Sequence, residues 1–357
     1  MTAIRLAFAL VAGALMGASP SALAQTLYAD GTGSTFEIRF STGYTSERGD
    51  MIVEAASWWA DRLASDVPIV IEVSFVTQTA QGQDMPCLEN EALLGLGGTT
   101  TLFANSPGAP RDVAHPQALA NALAGYDLDP TTVDARLQFN AKLDDNVNFP
   151  DCIGGGDWYY GFDAPPDSRD VSFYHTALHE LAHGLGFQSY ADFETGELFA
   201  FTGYPQGIND AFLLRLRHVR AGLFWSLALG AMTDEQRAAA ARDDGDLVWQ
   251  GARVDALAGI LSDGTQLGRV KMYAPQTFNA GASVSHFDTS LVPDELMEPR
   301  TAATFDARLA EAALHDIGWG AVGRVTLPPL DVGDSGGGAF LWAPVLLVLG
   351  ARRRQRQ

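Results

Sequence analysis

His179-Glu180-Leu181-Ala182-His183-Gly184-Leu185-Gly186-Phe187 is the stretch that decides how this chain folds and what it can do. On a helix, residues i and i+4 stand one above the other on the same face. His179 and His183 therefore present two imidazoles to a common point, and two neutral imidazoles suit two positions of a tetrahedral Zn2+ ion. Glu180 falls beside such an ion rather than on it, where a base is needed to take a proton from water. Leu181, Ala182, Gly184 and Leu185, with Phe173, Ala177 and Leu178 upstream, give the helix an apolar stripe that buries it. A buried histidine pair beside a carboxylate needs a partner, and a metal ion supplies one. Ser172 or Asp170 is placed to cap the helix start.

Upstream of this helix, Thr35–Phe40 alternates, with Phe36, Ile38 and Phe40 on one face, as a half-buried strand does. Gly43 to Asp50 reads as a turn region. From Met51 to Ser65 the apolar residues Ile52, Ala56, Trp59 and Leu63 recur at helical spacing, and Pro68 stops the helix. Ile69–Val76 is β-branched, a buried strand. A Gly/Thr-rich stretch, Gly95–Thr101, and a short helix near Pro116–Ala124 follow. Val133–Leu143 alternates most cleanly: Val133, Ala135, Leu137, Phe139, Ala141 and Leu143 face one way, Asp134, Arg136, Gln138, Asn140 and Lys142 the other. One wet face predicts a strand near a sheet edge. Strands and a helix preceding a long helix predict an α+β layer arrangement.

Downstream, Thr233-Asp234-Glu235-Gln236 is a capping box opening an Ala-rich helix to Arg242. Phe305–Ile317 is apolar at helical spacing and ends at Gly318. Asp243-Asp244-Gly245-Asp246 offers carboxylates to calcium but lacks the glutamate that completes an EF-hand loop, so it reads as a solvated turn.

The ends differ from the body. Arg5, apolar Leu6–Met16, Pro20 and Ala22-Leu23-Ala24 before Gln25 form a secretory signal pattern, making residues 1–24 a signal peptide. Asp334-Ser335-Gly336-Gly337-Gly338, apolar Ala339–Ala351 and a terminal arginine cluster resemble a GlyGly-CTERM sorting tail. That resemblance implies cleavage by a rhomboid-type protease and release or attachment at a bacterial cell surface. Both ends place the body outside the cytoplasm, with contact to membrane only through the tail. Of 357 residues, 43 are acidic and 23 basic, a net charge of −20. Between residues 25 and 334, 18 basic residues face all 43 acids, leaving −25. Such a surface is a poor partner for nucleic acid or anionic lipid. With 47% hydrophobic residues, there is ample material for a core. Cys87 and Cys152, an even pair in an exported protein, are expected to form a disulfide.

Two histidines do not complete a catalytic zinc site, which has three protein ligands plus water. His218, His286, His315 and several carboxylates are candidates for the third. His218 lies among Arg215, Arg217 and Arg220, a poor setting for a cation, and His315 sits in the last helix. The segment from His179 to Phe187 resembles the start of a metzincin zinc signature, yet Ser189 stands where that signature has its third histidine. The leishmanolysin-like branch, with an insertion between the helix-ending glycine and the third histidine, is similar in this respect. Ser285-His286-Phe287-Asp288 and Asp294-Glu295-Leu296-Met297-Glu298-Pro299 resemble that branch's third-ligand segment and Met-turn.

The resemblance implies a metzincin-like zinc protease domain, a twisted mixed sheet packed on the active-site helix, over residues 25–326. Its parts would be an upper subdomain (25–186), an insertion (187–285), and a Met-turn with a C-terminal helix (286–326), before the linker and tail (327–357). It further implies that His286 is the third zinc ligand, Met297 lies beneath the metal, Gly186 turns the chain out of the helix, and Val133–Leu143 pairs with an extended peptide. The expected activity is hydrolysis of protein or peptide bonds, with Glu180 as base and one Zn2+ as cofactor; signal peptidase and a sorting protease would be processing partners. Two alternatives are a non-catalytic zinc-containing surface adhesion protein and a thermolysin-type hydrolase whose third ligand is Glu194 or Glu197.

Overall fold

The computed structural model describes residues 25–79, 82–163, 167, 169–219, 226–301 and 305–322. The signal peptide and sorting tail expected at the two ends lie outside them. Five strands form the central sheet: β1 (Gln25–Asp30), β2 (Thr35–Thr42), β3 (Ile69–Val76), β4 (Gly95–Thr99) and β5 (Ala135–Asn140). Their order is β1-β2-β3-β5-β4. The three middle strands run parallel and each edge strand antiparallel to its neighbour. Register places Ile38 beside Ile71 and Val73 beside Leu137, so the alternating apolar residues share one buried face.

The strand expected near an edge lies one strand in from it, so it is not itself the edge strand that peptide pairing along it requires. β5 lies between β3 and β4, and the wet face carrying Arg136 is a face of the sheet. Alternation reports solvent on one face of a strand; it says nothing about a missing neighbour. The edge belongs to the glycine-rich β4.

Two helices pack against each other on the buried face. The first, α1 (Ser46–Ala60), starts earlier than its apolar pattern because the Thr45 side chain accepts from the Arg48 N–H, so residues 46–50 are helix rather than turn. It also ends earlier, leaving Leu63 to pair in a two-residue strand with Ala321. A shorter helix, α2 (Gln117–Ala124), ends at Gly125, whose φ of 77° suits glycine. Next comes α3 (Phe173–Gly184), the helix of the histidine pair. Ser172 caps it, while Asp170 accepts from the Asp157 N–H instead. Trp59 Nε1 donates to the Leu178 carbonyl at 3.1 Å, tying α1 to α3.

The described residues of 187–285 share the same core. They contain β6 (Leu216–Val219), β7 (Ser226–Ala228), α4 (Asp234–Ala240), β8 (Leu247–Trp249) and α5 (Ala252–Leu257). The strands form an antiparallel sheet ordered β7-β6-β8, and α4 opens with both hydrogen bonds of the expected capping box. Phe187, Phe212, Trp249 and Phe287 stack into one aromatic cluster. Strand Tyr204–Asp210 runs parallel to Val113–Pro116, joining the segment to the upper half. The last helix, α6 (Arg308–Ile317), ends at Gly318. Cys87 and Cys152 are disulfide-bonded. The architecture is α+β, with a curled mixed sheet. No described helix is long and apolar enough to cross a membrane.

Candidate metal centre

Helical spacing on α3 puts His179 and His183 one above the other, and their Nε2 atoms lie 3.1 Å apart. His286, 103 residues beyond His183, completes a triangle: its Nε2 is 3.1 Å from that of His179 and 3.2 Å from that of His183. Each Nδ1 lies 2.8 Å from a backbone carbonyl: Leu296 for His179, Phe187 for His183 and Ala282 for His286. A carbonyl only accepts, so each Nδ1 carries the hydrogen and each Nε2 turns a lone pair inward. Burial pushes His179 down to about 4, His286 to about 3 and His183 well below its usual value, which keeps the rings neutral. Three facing acceptors with no donor among them can all be satisfied by a cation, and this set can hold a metal ion.

The chain reaches this arrangement through a local exit and a long return. Gly186 has φ of 112°, and a Cβ there would meet Pro116 Cγ at 2.7 Å, so only glycine makes the turn that brings the Phe187 carbonyl back to His183. Ser189 donates its hydroxyl to the buried carboxylate of Asp210, and its N–H to Ser285 Oγ at 3.3 Å. The polypeptide thus leaves at Ser189 and comes back beside it, immediately before His286. The His286 carbonyl then accepts from the Tyr273 N–H, and the Phe287 N–H donates to the Met297 carbonyl.

Met297 is fully buried in the turn whose Leu296 carbonyl holds His179. Glu295, also buried, accepts from the N–H groups of Leu296, Leu309 and Ala310. It therefore caps α6, which has no side-chain cap of its own, and fastens the turn to it.

Glu180 points to β4. Burial pushes its carboxyl up to about 8, opposed by the nearby Gly97 N–H. A Cβ on Gly95 would meet the Glu180 carboxyl at 2.9 Å, and one on Gly97 would meet the Glu180 carbonyl oxygen at 2.2 Å. The two glycines let an edge strand lie directly on the helix. Residue typing missed this role, although glycines two apart in a strand are a signal of close backbone approach.

The other candidates stand elsewhere. His218 pairs with Asp243, and His315 is buried against the Trp319 carbonyl. His175, on the same face of α3, packs its ring on Phe305 with centroids 4.2 Å apart. Glu194 and Glu197 are exposed and outside the histidine triangle, so the alternative third ligands of a thermolysin-type site are not brought to it. No family model, curated protein or solved structure matches this chain.

Proposed function

We propose that the protein is an exported zinc-dependent endopeptidase of metzincin type. The observation that carries this reading is the convergence of three inward-facing Nε2 atoms with Glu180 on the next residue of the same helix. Three nitrogens about 2.0–2.1 Å from a tetrahedral zinc stand roughly 3.3 Å from one another, and the observed spacings are 3.1–3.2 Å. His179, His183 and His286 would hold the ion, with the three carbonyls fixing their rings. Zinc, when bound, would polarise a scissile carbonyl and acidify water. Glu180 would serve as the base that takes a proton from the attacking water and returns it to the leaving amine. A neighbouring cation also favours its charged form, the one a base requires.

Substrate would pair, extended, along the free edge of β4 rather than along β5. The bonds Asn140 N–H to Leu94 and Thr100 N–H to Asp134 show that even-numbered positions face β5, which turns the backbone groups of Gly95, Gly97 and Thr99 outward. Gly95 and Gly97 lie directly on Glu180, which places that edge beside the base.

Replacing Glu180 by Gln should abolish casein hydrolysis, by about 10³-fold or more, while bound zinc is retained. Replacing His286 by Ala should strip the metal from this centre. Hydrolysis that persists in the Glu180 variant removes the mechanism. Export rests on the two ends together with a disulfide, which belongs to oxidising compartments. Mass spectrometry of protein recovered outside the cell should show Gln25 at the N-terminus and loss of the tail near Gly336–Gly338; an intact N-terminus would rule out residues 1–24 as a cleaved signal peptide, and absence of the protein outside the cell would rule out export.

A further inference from the structure

His218, Asp243 and Asp246 form a second cluster of metal-ligating side chains, sharing no residue with the three-histidine centre. The sequence around His218 is rich in arginine, but β6 is an extended strand and its side chains alternate between faces. His218 faces one side, while Arg217 and Val219 face the other, where Arg217 donates to Gln250 Oε1. Arg217 therefore points away from His218.

The carboxylates arrive from the turn between α4 and β8. Gly245 has φ of 89°, the Asp246 N–H donates to the Asp243 carbonyl at 3.2 Å, and the Val219 N–H donates to the Asp246 carbonyl at 2.8 Å. These bonds fold the turn back onto the end of β6. His218 Nε2 comes to 2.8 Å from Asp243 Oδ2, and one ligand atom from each of the three residues lies within 4.8 Å of the others. The His218 side chain is only 12% exposed, while Asp243, at 44%, leaves an open side for water. Asp246 accepts from the neutral amide of Gln266 at 2.9 Å. Among the described residues, no lysine or arginine forms an ion pair with Asp243, Asp244 or Asp246; the one ion-pair partner is His218.

From this geometry we propose that His218, Asp243 and Asp246 bind a second zinc ion, completed by water. Calcium and magnesium take oxygen ligands, so an imidazole anchored on a strand points to a first-row transition ion or zinc rather than to calcium on the aspartates alone. One nitrogen and two carboxylate oxygens with an open fourth position fit a tetrahedral zinc set. Gln266, donating to Asp246 Oδ1, orients that carboxylate. The ion would pin β6 to the turn entering β8, bracing the segment that returns the chain to His286.

The test is zinc bound per chain at equilibrium, measured by plasma mass spectrometry with Zn2+ as the only metal supplied. The wild type is expected to bind two, and both His218→Ala and the double variant Asp243→Asn/Asp246→Asn to bind one. The carboxamide pair preserves shape on partly exposed side chains, so it serves as the measurement if the His218 variant fails to fold. Two zinc ions retained in the double variant overturn the proposal. A single zinc in the wild type that survives the double variant and is lost with His286→Ala also overturns it, leaving the three-histidine centre intact. A single zinc with the opposite pattern supports this site and removes the other.

Discussion

A metal-ligating imidazole almost always has its other nitrogen engaged, and here three backbone carbonyls engage it. No side-chain motif encodes a carbonyl, which is why His179, Glu180 and His183 were legible as a local pattern while the groups orienting them were not. His286 was singled out from the other candidates only by the resemblance of its segment to a known one, because its place depends on the tertiary return at Ser189 and Ser285. Asp134 shows the reverse: alternation puts it on the wet face, yet it is 2% exposed, accepting from the Val70 N–H at 2.7 Å and Asn121 Nδ2 at 2.8 Å. Burial pushes its carboxyl up to about 6. The folded chain therefore holds this proton more tightly than the unfolded one between about pH 4 and pH 6, so its contribution to stability falls as pH rises through that window. The size is on the order of 3 kcal/mol. Urea midpoints at pH 4.5 and pH 7 should differ less in Asp134→Asn than in the wild type, and an unchanged difference would refute the assignment.

At the scale of elements, helices were recovered better than strands because their ends carry chemistry that a sequence displays. Thr233 with Gln236 and the glycine after α2 mark their ends plainly. Thr45 marks the start of α1 just as clearly, but its cap lies a full turn before the apolar pattern begins. β4 lay hidden because glycine has low strand propensity, and its membership follows from what it packs against. Gly97 carries the sharper consequence. A methyl there meets the backbone of Glu180, which cannot swing aside, whereas one on Gly98 meets only the Gln188 amide at 3.3 Å. Gly97→Ala should cost about 1–3 kcal/mol of stability, the usual range for overpacking, and lower any hydrolysis through displacement of Glu180. Gly98→Ala should cost clearly less. Comparable losses in chemical denaturation would mean that β4 does not sit on α3 as described.

Across the whole molecule, the charge expected of the processed body is the property that acts furthest from any one contact. Residues 25–334 carry −25, and the arginines described within them are mostly occupied: Arg48 with Asp144, Arg237 with backbone carbonyls and Asp234, Arg308 with Asp306. The excess acids impose a negative field on anything that approaches the free edge of β4. Fields of this kind change encounter rates rather than the chemistry at bonding distance, and salt screens them over about 8 Å at physiological ionic strength. If the protein cleaves peptides as proposed, a basic peptide should therefore be cut with higher kcat/KM than an acidic one of matched sequence around the scissile bond. The advantage should be about tenfold at low salt, and it should shrink toward unity as salt is raised. The salt series separates this from a charged subsite, because a contact at that edge keeps much of its preference when the long-range field is screened. Equal rates on the two peptides at low salt would show that the acidic body has no part in selecting substrate.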